Sequence, residues 1–121
     1  LSMSLTQGTG WLALDIQVSG GVSNDPYFLF HSFDSLNGAF PGGGWPGGLH
    51  ISVESALAQY TLGSTQTPKI FGGLLDPVGG IGVQVPGYIM QQFSGLELSA
   101  MALSVTPGVV VFGNIATVTV Q

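Results

Sequence analysis

The sequence predicts an all-β protein: an antiparallel β-sandwich, jelly-roll-like, with long Gly/Pro-rich loops and at most one short helix. Short segments in which apolar and polar residues alternate recur about every 10 to 15 residues, as in strands with one buried face. Turn-forming residues separate them, with 20 Gly and 7 Pro among 121 residues, and no long helical segment repeats. We expect one β-sandwich domain over residues 1–121, because a chain of this length suits a single core.

Two strands are predicted in the first third of the chain. Residues 12–18 alternate between apolar and polar side chains and end at a Gly-Gly pair. Residues 27–33 are rich in aromatic side chains and follow an Asp-Pro turn signal. The alternation then stops at residues 38–48, where most positions are Gly or Pro. This composition predicts a long loop that carries two bulky side chains, Phe40 and Trp45.

The middle of the chain fits both a strand and a helix. Alternation over residues 49–54 predicts a strand. Apolar residues between 53 and 60 also recur at helical spacing, with Ser52 as a candidate N-cap and Gly63 as a candidate C-cap. We favour a strand that is followed by at most one turn of helix.

The next stretch contains one clear strand between two irregular segments. Residues 68–80 read as a Gly-rich connection, and residues 88–93 fit no single element. Between them, residues 81–85 alternate and are followed by Pro-Gly, which predicts a short strand.

The C-terminal quarter predicts a β-hairpin. Residues 109–120 are rich in β-branched side chains, and a Thr-Pro-Gly turn separates them from residues 96–105. Residues 94–97 resemble a capping box, so a helix over 96–105 is the alternative. We favour the hairpin.

The first half of the last strand is apolar on both faces. Such a strand must be covered on both faces, either centrally within the sandwich or by an adjoining subunit, so we do not expect it to form an exposed edge. Replacing Val111 with Asp is predicted to abolish folding or assembly, because the new charge would be buried without a partner.

Charged residues are scarce. The chain has one Lys, no Arg and six acidic residues, or 6% charged residues against about 25% in an average domain. One basic residue cannot neutralise a row of phosphates, which excludes nucleic acid and an anionic membrane surface as partners. No apolar stretch is long enough to insert in a membrane, and the lack of Cys excludes disulfides and thiolate zinc sites.

The sequence contains few residues that could act in catalysis or bind a metal ion. His31 and His50 are the only imidazoles. His31, Asp34 and a Ser could form a catalytic triad, but no nucleophile-elbow motif accompanies them, so we do not expect an enzyme. No cofactor is expected. Calcium is the one metal with candidate ligands, namely Asp25, Asp34 and Asp76 in or beside Gly/Pro-rich segments, but Asp25-Pro26 and Asp76-Pro77 are better interpreted as turn initiators.

Four aromatic residues are candidate contacts with a neighbouring subunit or with a sugar ring: Trp45, Phe40, Tyr27 and Tyr88. A low-charge surface suggests that neighbouring molecules cover much of it. The sequence therefore favours a structural subunit of a large symmetric assembly, either a phage or viral coat, decoration or tail protein or an extracellular filament subunit. Its partners would be copies of itself and other particle proteins, in a virion or outside the cell. A carbohydrate-binding, lectin-like module or receptor-binding tip is the alternative, with a glycan as partner.

Overall fold

A computed structural model of the chain describes residues 1–8, 13–33, 49–65 and 69–121. They form two antiparallel sheets, one with strand order β1-β2-β5 and the other with order β4-β3-β6-β7. The strands are β1 (Ser2–Gln7), β2 (Leu14–Ser19), β3 (Pro26–Ser32), β4 (Gly72–Leu74), β5 (Ile81–Val85), β6 (Glu97–Thr106) and β7 (Val109–Thr119). The helices are α1 (Val53–Ser64) and α2 (Gly87–Met90), with a 3-10 turn at Gln91–Phe93.

The predicted all-β antiparallel sandwich is confirmed. The jelly-roll topology is not, because a jelly roll has eight strands and the described ranges hold one three-stranded and one four-stranded sheet. The chain also forms two short helices, where at most one was expected.

The main core lies between the two sheets and follows the alternation in the sequence. In β2, Leu14, Ile16 and Val18 are buried while the residues between them are more exposed. Leu29 of β3 and Ala100 of β6 join the same apolar cluster. The strands predicted over residues 12–18, 27–33 and 81–85 are thus present as β2, β3 and β5. One apolar face specifies β2 and β5, whereas the aromatic-rich β3 is buried on both faces, at Leu29 and at Phe30.

The prediction of a strand over residues 49–54 followed by at most one turn of helix is wrong, since α1 occupies Val53–Ser64 and is 12 residues long. The predicted N-cap is correct: the Ser52 hydroxyl accepts a hydrogen bond from the backbone N–H of Ser55 at 3.1 Å. Gly63 lies inside the helix and does not cap it. A Cβ on Gly63 would be 2.3 Å from the Phe71 carbonyl oxygen, so its lack of a side chain lets α1 approach β4.

Helix α1 covers part of the outer face of the four-stranded sheet. A second apolar cluster forms there and comprises Phe30, Leu49, Ile51, Ala56, Met101 and Leu103, with Phe28 and Val105 packed against it. All of its strand residues belong to β3 or β6. The covered part of the outer face therefore includes the two central strands, β3 and β6.

The predicted C-terminal hairpin is confirmed, and the helix alternative for residues 96–105 is wrong. Thr106 of β6 pairs with Val109 of β7 across the Pro107-Gly108 turn, where Gly108 has a φ of +83°. β7 is nevertheless the outer strand of its sheet, so the expectation that it is not an edge is wrong for the isolated chain.

Two strands were not anticipated from the sequence, β1 and β4. β4 lies inside the stretch interpreted as irregular, and residues 88–93 form most of α2 and the 3-10 turn. No helix in the described ranges is long and apolar enough to cross a membrane.

Candidate functional site

The contacts made by the outer edge of β7 differ between the two halves of the strand. In its C-terminal half, the side-chain amide of Asn114 bonds to the backbone of β1 in the other sheet. Asn114 Oδ1 accepts from the N–H of Met3 at 2.8 Å, and Asn114 Nδ2 donates to the carbonyl of Met3 at 2.9 Å. The backbone N–H of Gln121 donates to the Gln7 side chain at 2.6 Å. These bonds link the two sheets along this edge.

A β-bulge places Asn114 for this contact. Met101 pairs with Ile115 and Leu103 pairs with Phe112, so β7 carries one more residue than β6 in the interval. Such a bulge bends the strand and redirects side chains. Asn114 falls at the bulge, where its amide meets the backbone of β1.

The N-terminal half of β7 has no such neighbour among the described residues. Val109, Val110 and Phe112 are 56%, 50% and 42% exposed. Within the described part of the chain, residues 109–112 make no hydrogen bond beyond their pairing with β6. We call residues 109–112 the free edge. It exposes apolar side chains together with the outward-facing backbone groups of a strand that is paired on one side only.

A cavity of about 570 Å³ opens at the opposite end of the sandwich, where β3 and β5 end and β2 and β6 begin. Helices α1 and α2 form its sides. Its lining is mainly apolar: Leu14, Phe33, Ile51, Ile70, Phe71, Val85, Ile89, Met90, Phe93 and Leu98. The polar lining residues are His31, Ser32, Ser52, Ser55 and Gln59. A cavity of this size and composition is typical of sites for small apolar molecules.

Gln59 of α1 replaces a missing strand at this end of the sheet. β4 stops short of His31, and the Gln59 amide takes over the pairing with its backbone. Gln59 Oε1 accepts from the His31 N–H at 2.7 Å, and Gln59 Nε2 donates to the His31 carbonyl at 2.9 Å and to the Ser55 hydroxyl at 3.0 Å. The contact fixes α1 against the sheet.

The ring of His31 has a defined tautomer. Its Nε2 lies 2.6 Å from the carbonyl oxygen of Ile70, which can only accept, so Nε2 carries the proton and Nδ1 is an acceptor. The ring packs edge-on against Phe71. Burial lowers the pKa of His31, against the opposing effect of the Ile70 hydrogen bond, so the imidazole is neutral at pH 7.

The aromatic residues predicted as contacts are separated in the structure. Tyr27 is fully buried, its hydroxyl donates to the Lys69 carbonyl at 3.0 Å, and burial raises its pKa to about 12. It is therefore unavailable to a sugar or to a neighbouring subunit. Tyr88 is 73% exposed on α2. Trp45 and Phe40 lie outside the described residues.

Two of the three candidate calcium ligands have other partners. Asp76 Oδ1 accepts from the N–H groups of Val78 and Gly80 at 3.0 and 2.9 Å, as a turn initiator does. Asp25 is buried and accepts a hydrogen bond from the Thr106 hydroxyl. Asp34 lies outside the described residues, and in the rest no three metal-ligating side chains come together.

Sequence reasoning missed Asn114 and Gln59. Both act through a side-chain amide that bonds to the backbone of a distant segment. No local pattern marks such an amide, because its partner is determined by the packing of elements that are far apart in the chain. The only indication of the bulge in the sequence is Gly113, a Gly within a predicted strand.

Comparison of the chain with family models, with curated proteins and with solved structures found no match in any of the three.

Proposed function

We propose that this protein is a structural subunit that associates with copies of itself through the free edge of β7. One observation carries the proposal: a strand that is apolar on both faces lies at the edge of its sheet, and the described residues leave its Val109, Val110 and Phe112 exposed. Monomeric β proteins protect their edges with charges, Pro, bulges or covering segments. Here the bulge and β1 protect only the C-terminal half of the strand.

A second copy suits this edge better than a charged partner does. The chain has a net charge of −5, yet residues 98–121 contain no charged residue. Two copies can therefore bring their free edges together without repulsion between like charges. Antiparallel pairing of one β7 with another, about a two-fold axis, would join outward-facing backbone groups and cover Val110 and Phe112.

A two-fold contact alone closes a dimer, so a larger assembly needs a second contact. The exposed Leu57 and Leu62 of α1 are candidates for it. With both contacts the subunit would suit a phage or viral coat, decoration or tail, or an extracellular filament. Its place would then be a virion or the cell exterior.

Sedimentation velocity at increasing micromolar concentrations tests the proposal. We expect the wild-type protein to associate and Phe112→Lys to be monomeric, because a Lys on each copy would place like charges across the shared edge. Thr119→Lys is the matched control, since it adds the same charge to an exposed position near the other end of β7. It should associate as the wild type does. A wild-type protein that stays monomeric throughout, or equal behaviour of the two variants, would refute the proposal.

Glycan binding is the second candidate function, and the exposed ring of Tyr88 is the observation that favours it. A glycan array, run with and without calcium, tests this role. Binding that Tyr88→Ala removes would support it, and no signal above background would exclude it for the glycans on the array.

A further inference from the structure

The cavity at the end of the sandwich is independent of the free edge. Its lining comes from both sheets, from α1 and from α2, so its walls are parts of the folded core. None of the described lining residues is Asp, Glu, Lys or Arg, and the only titratable side chain among them is the neutral His31. A charged molecule would lose its hydration there without gaining a counter-charge.

The polar side chains that line the cavity are nearly all occupied by partners within the protein. The Ser32 hydroxyl donates to the His50 carbonyl, and the Ser52 hydroxyl accepts from Ser55 N–H. The Gln59 amide bonds to the backbone of His31 and to the Ser55 hydroxyl. The oxygen of each hydroxyl and both polar atoms of the Gln59 amide thus already take part in a hydrogen bond, and the O–H donors of Ser52 and Ser55 are the capacity that remains.

His31 is the exception. Its Nε2–H is used by the Ile70 carbonyl, which leaves Nδ1 as a hydrogen-bond acceptor. The described contacts of the ring are this bond and the edge-on packing with Phe71, and neither involves Nδ1. A ligand in the cavity would thus meet apolar walls, the hydroxyls of Ser52 and Ser55, and one ring nitrogen that makes no described hydrogen bond.

We propose that this cavity binds a small, neutral, largely apolar molecule with a single hydroxyl group, whose O–H donates to Nδ1 of His31. A carboxylate is disfavoured because none of the described lining residues carries a charge that would compensate its own. An ether or alkane of the same size would fill the apolar space without making the hydrogen bond.

Isothermal titration calorimetry with three probes of equal length tests the proposal. We expect octan-1-ol to bind about three- to tenfold more tightly than its isomer heptyl methyl ether, which corresponds to one net hydrogen bond, and octanoate not to bind measurably. In a wild-type sample with ¹⁵N-labelled histidine, octanol should shift the Nδ1 resonance of His31 and the ether should not. Equal affinities for alcohol and ether, or an unchanged Nδ1 resonance, would refute the assigned role of His31.

A cavity-filling variant tests the location. Ile89 is a half-buried part of the cavity wall, so Ile89→Trp should abolish octanol binding by occupying the space. Tyr88→Trp is the matched control, because it places the same side chain on the neighbouring, exposed position of α2. It should bind octanol as the wild type does. If octanol binds to Ile89→Trp with wild-type affinity, the cavity is not the site, whatever the oligomeric state proves to be.

Discussion

The two halves of β7 have similar β-forming sequences and opposite surroundings. Residues 114–119 lie beside β1 and are joined to it by the Asn114 amide, and Val118 packs against the main core. Residues 109–112 extend past that contact and expose apolar side chains. The difference shows that covering a strand requires a neighbour at the right place, and that apolar character by itself does not secure one.

The two halves of β7 therefore have different roles. Its C-terminal half holds the two sheets of one molecule together. Its N-terminal half exposes Val109, Val110 and Phe112 to contact with another molecule, while Val111, close to the junction of the two halves, is half-buried. Substitutions in the C-terminal half and at Val111 should therefore change the free energy of unfolding, and substitutions at the exposed positions of the free edge should change association.

The largest effect is expected where the two halves meet. Val111 is half-buried and pairs with Ser104, which is almost fully buried. Val111→Asp should lower the free energy of unfolding by about 3 kcal/mol, because a carboxylate would lose part of its hydration without a partner. Val109→Asp, two residues earlier on the same strand, is the control and should change it by less than about 1 kcal/mol. Urea denaturation measures both, and equal losses would show that the half-buried Val111 contributes no more to the fold than the exposed Val109.

A somewhat smaller effect is expected from the contact between the sheets. Asn114→Ala removes both hydrogen bonds to the backbone of Met3, so we expect the free energy of unfolding to fall by about 2 kcal/mol. Gln84→Ala is the control, since it removes one exposed amide bond to Asp15 and should cost less than about 0.5 kcal/mol. Thermal and urea unfolding of the two variants would show the contrast. A stable Asn114→Ala protein would mean that packing alone joins β1 to β7.

The smallest effect is expected from replacing one valine in each half of β7 with alanine. Val118→Ala should cost about 1 kcal/mol, because Val118 packs on the main core. Val110→Ala should cost less than about 0.5 kcal/mol, because half of its side chain is already exposed. In sedimentation velocity experiments the larger effect should come from Val110→Ala, which should weaken association. Val118→Ala should leave association unchanged. Loss of association in both variants would mean that the contact extends along the whole strand.

The sequence by itself determined the features that depend on neighbouring residues. The alternation of apolar and polar residues placed β2 and β5, since it needs only a pleated strand with one buried face. The aromatic-rich segment after an Asp-Pro turn placed β3. The Pro107-Gly108 pair specified the turn of the C-terminal hairpin through the positive φ of Gly108. Ser52 marked the start of α1, although the alternation around it favoured a strand. Helix α1 prevailed because it buries Ala56 over the sheet and because Gly63 lets it approach β4.

Only the tertiary structure decided which surfaces remained uncovered. β7 was expected to be covered on both faces, but whether a strand is central or at an edge depends on how distant segments pair. No pattern in the sequence predicts the short β4, because this strand is defined mainly by its pairing with β3. The roles of Asn114 and Gln59 depend on backbone groups more than 25 residues away, with separations of 111 and 28 residues. The cavity likewise has walls from both sheets and both helices, so no single segment of the sequence could indicate it.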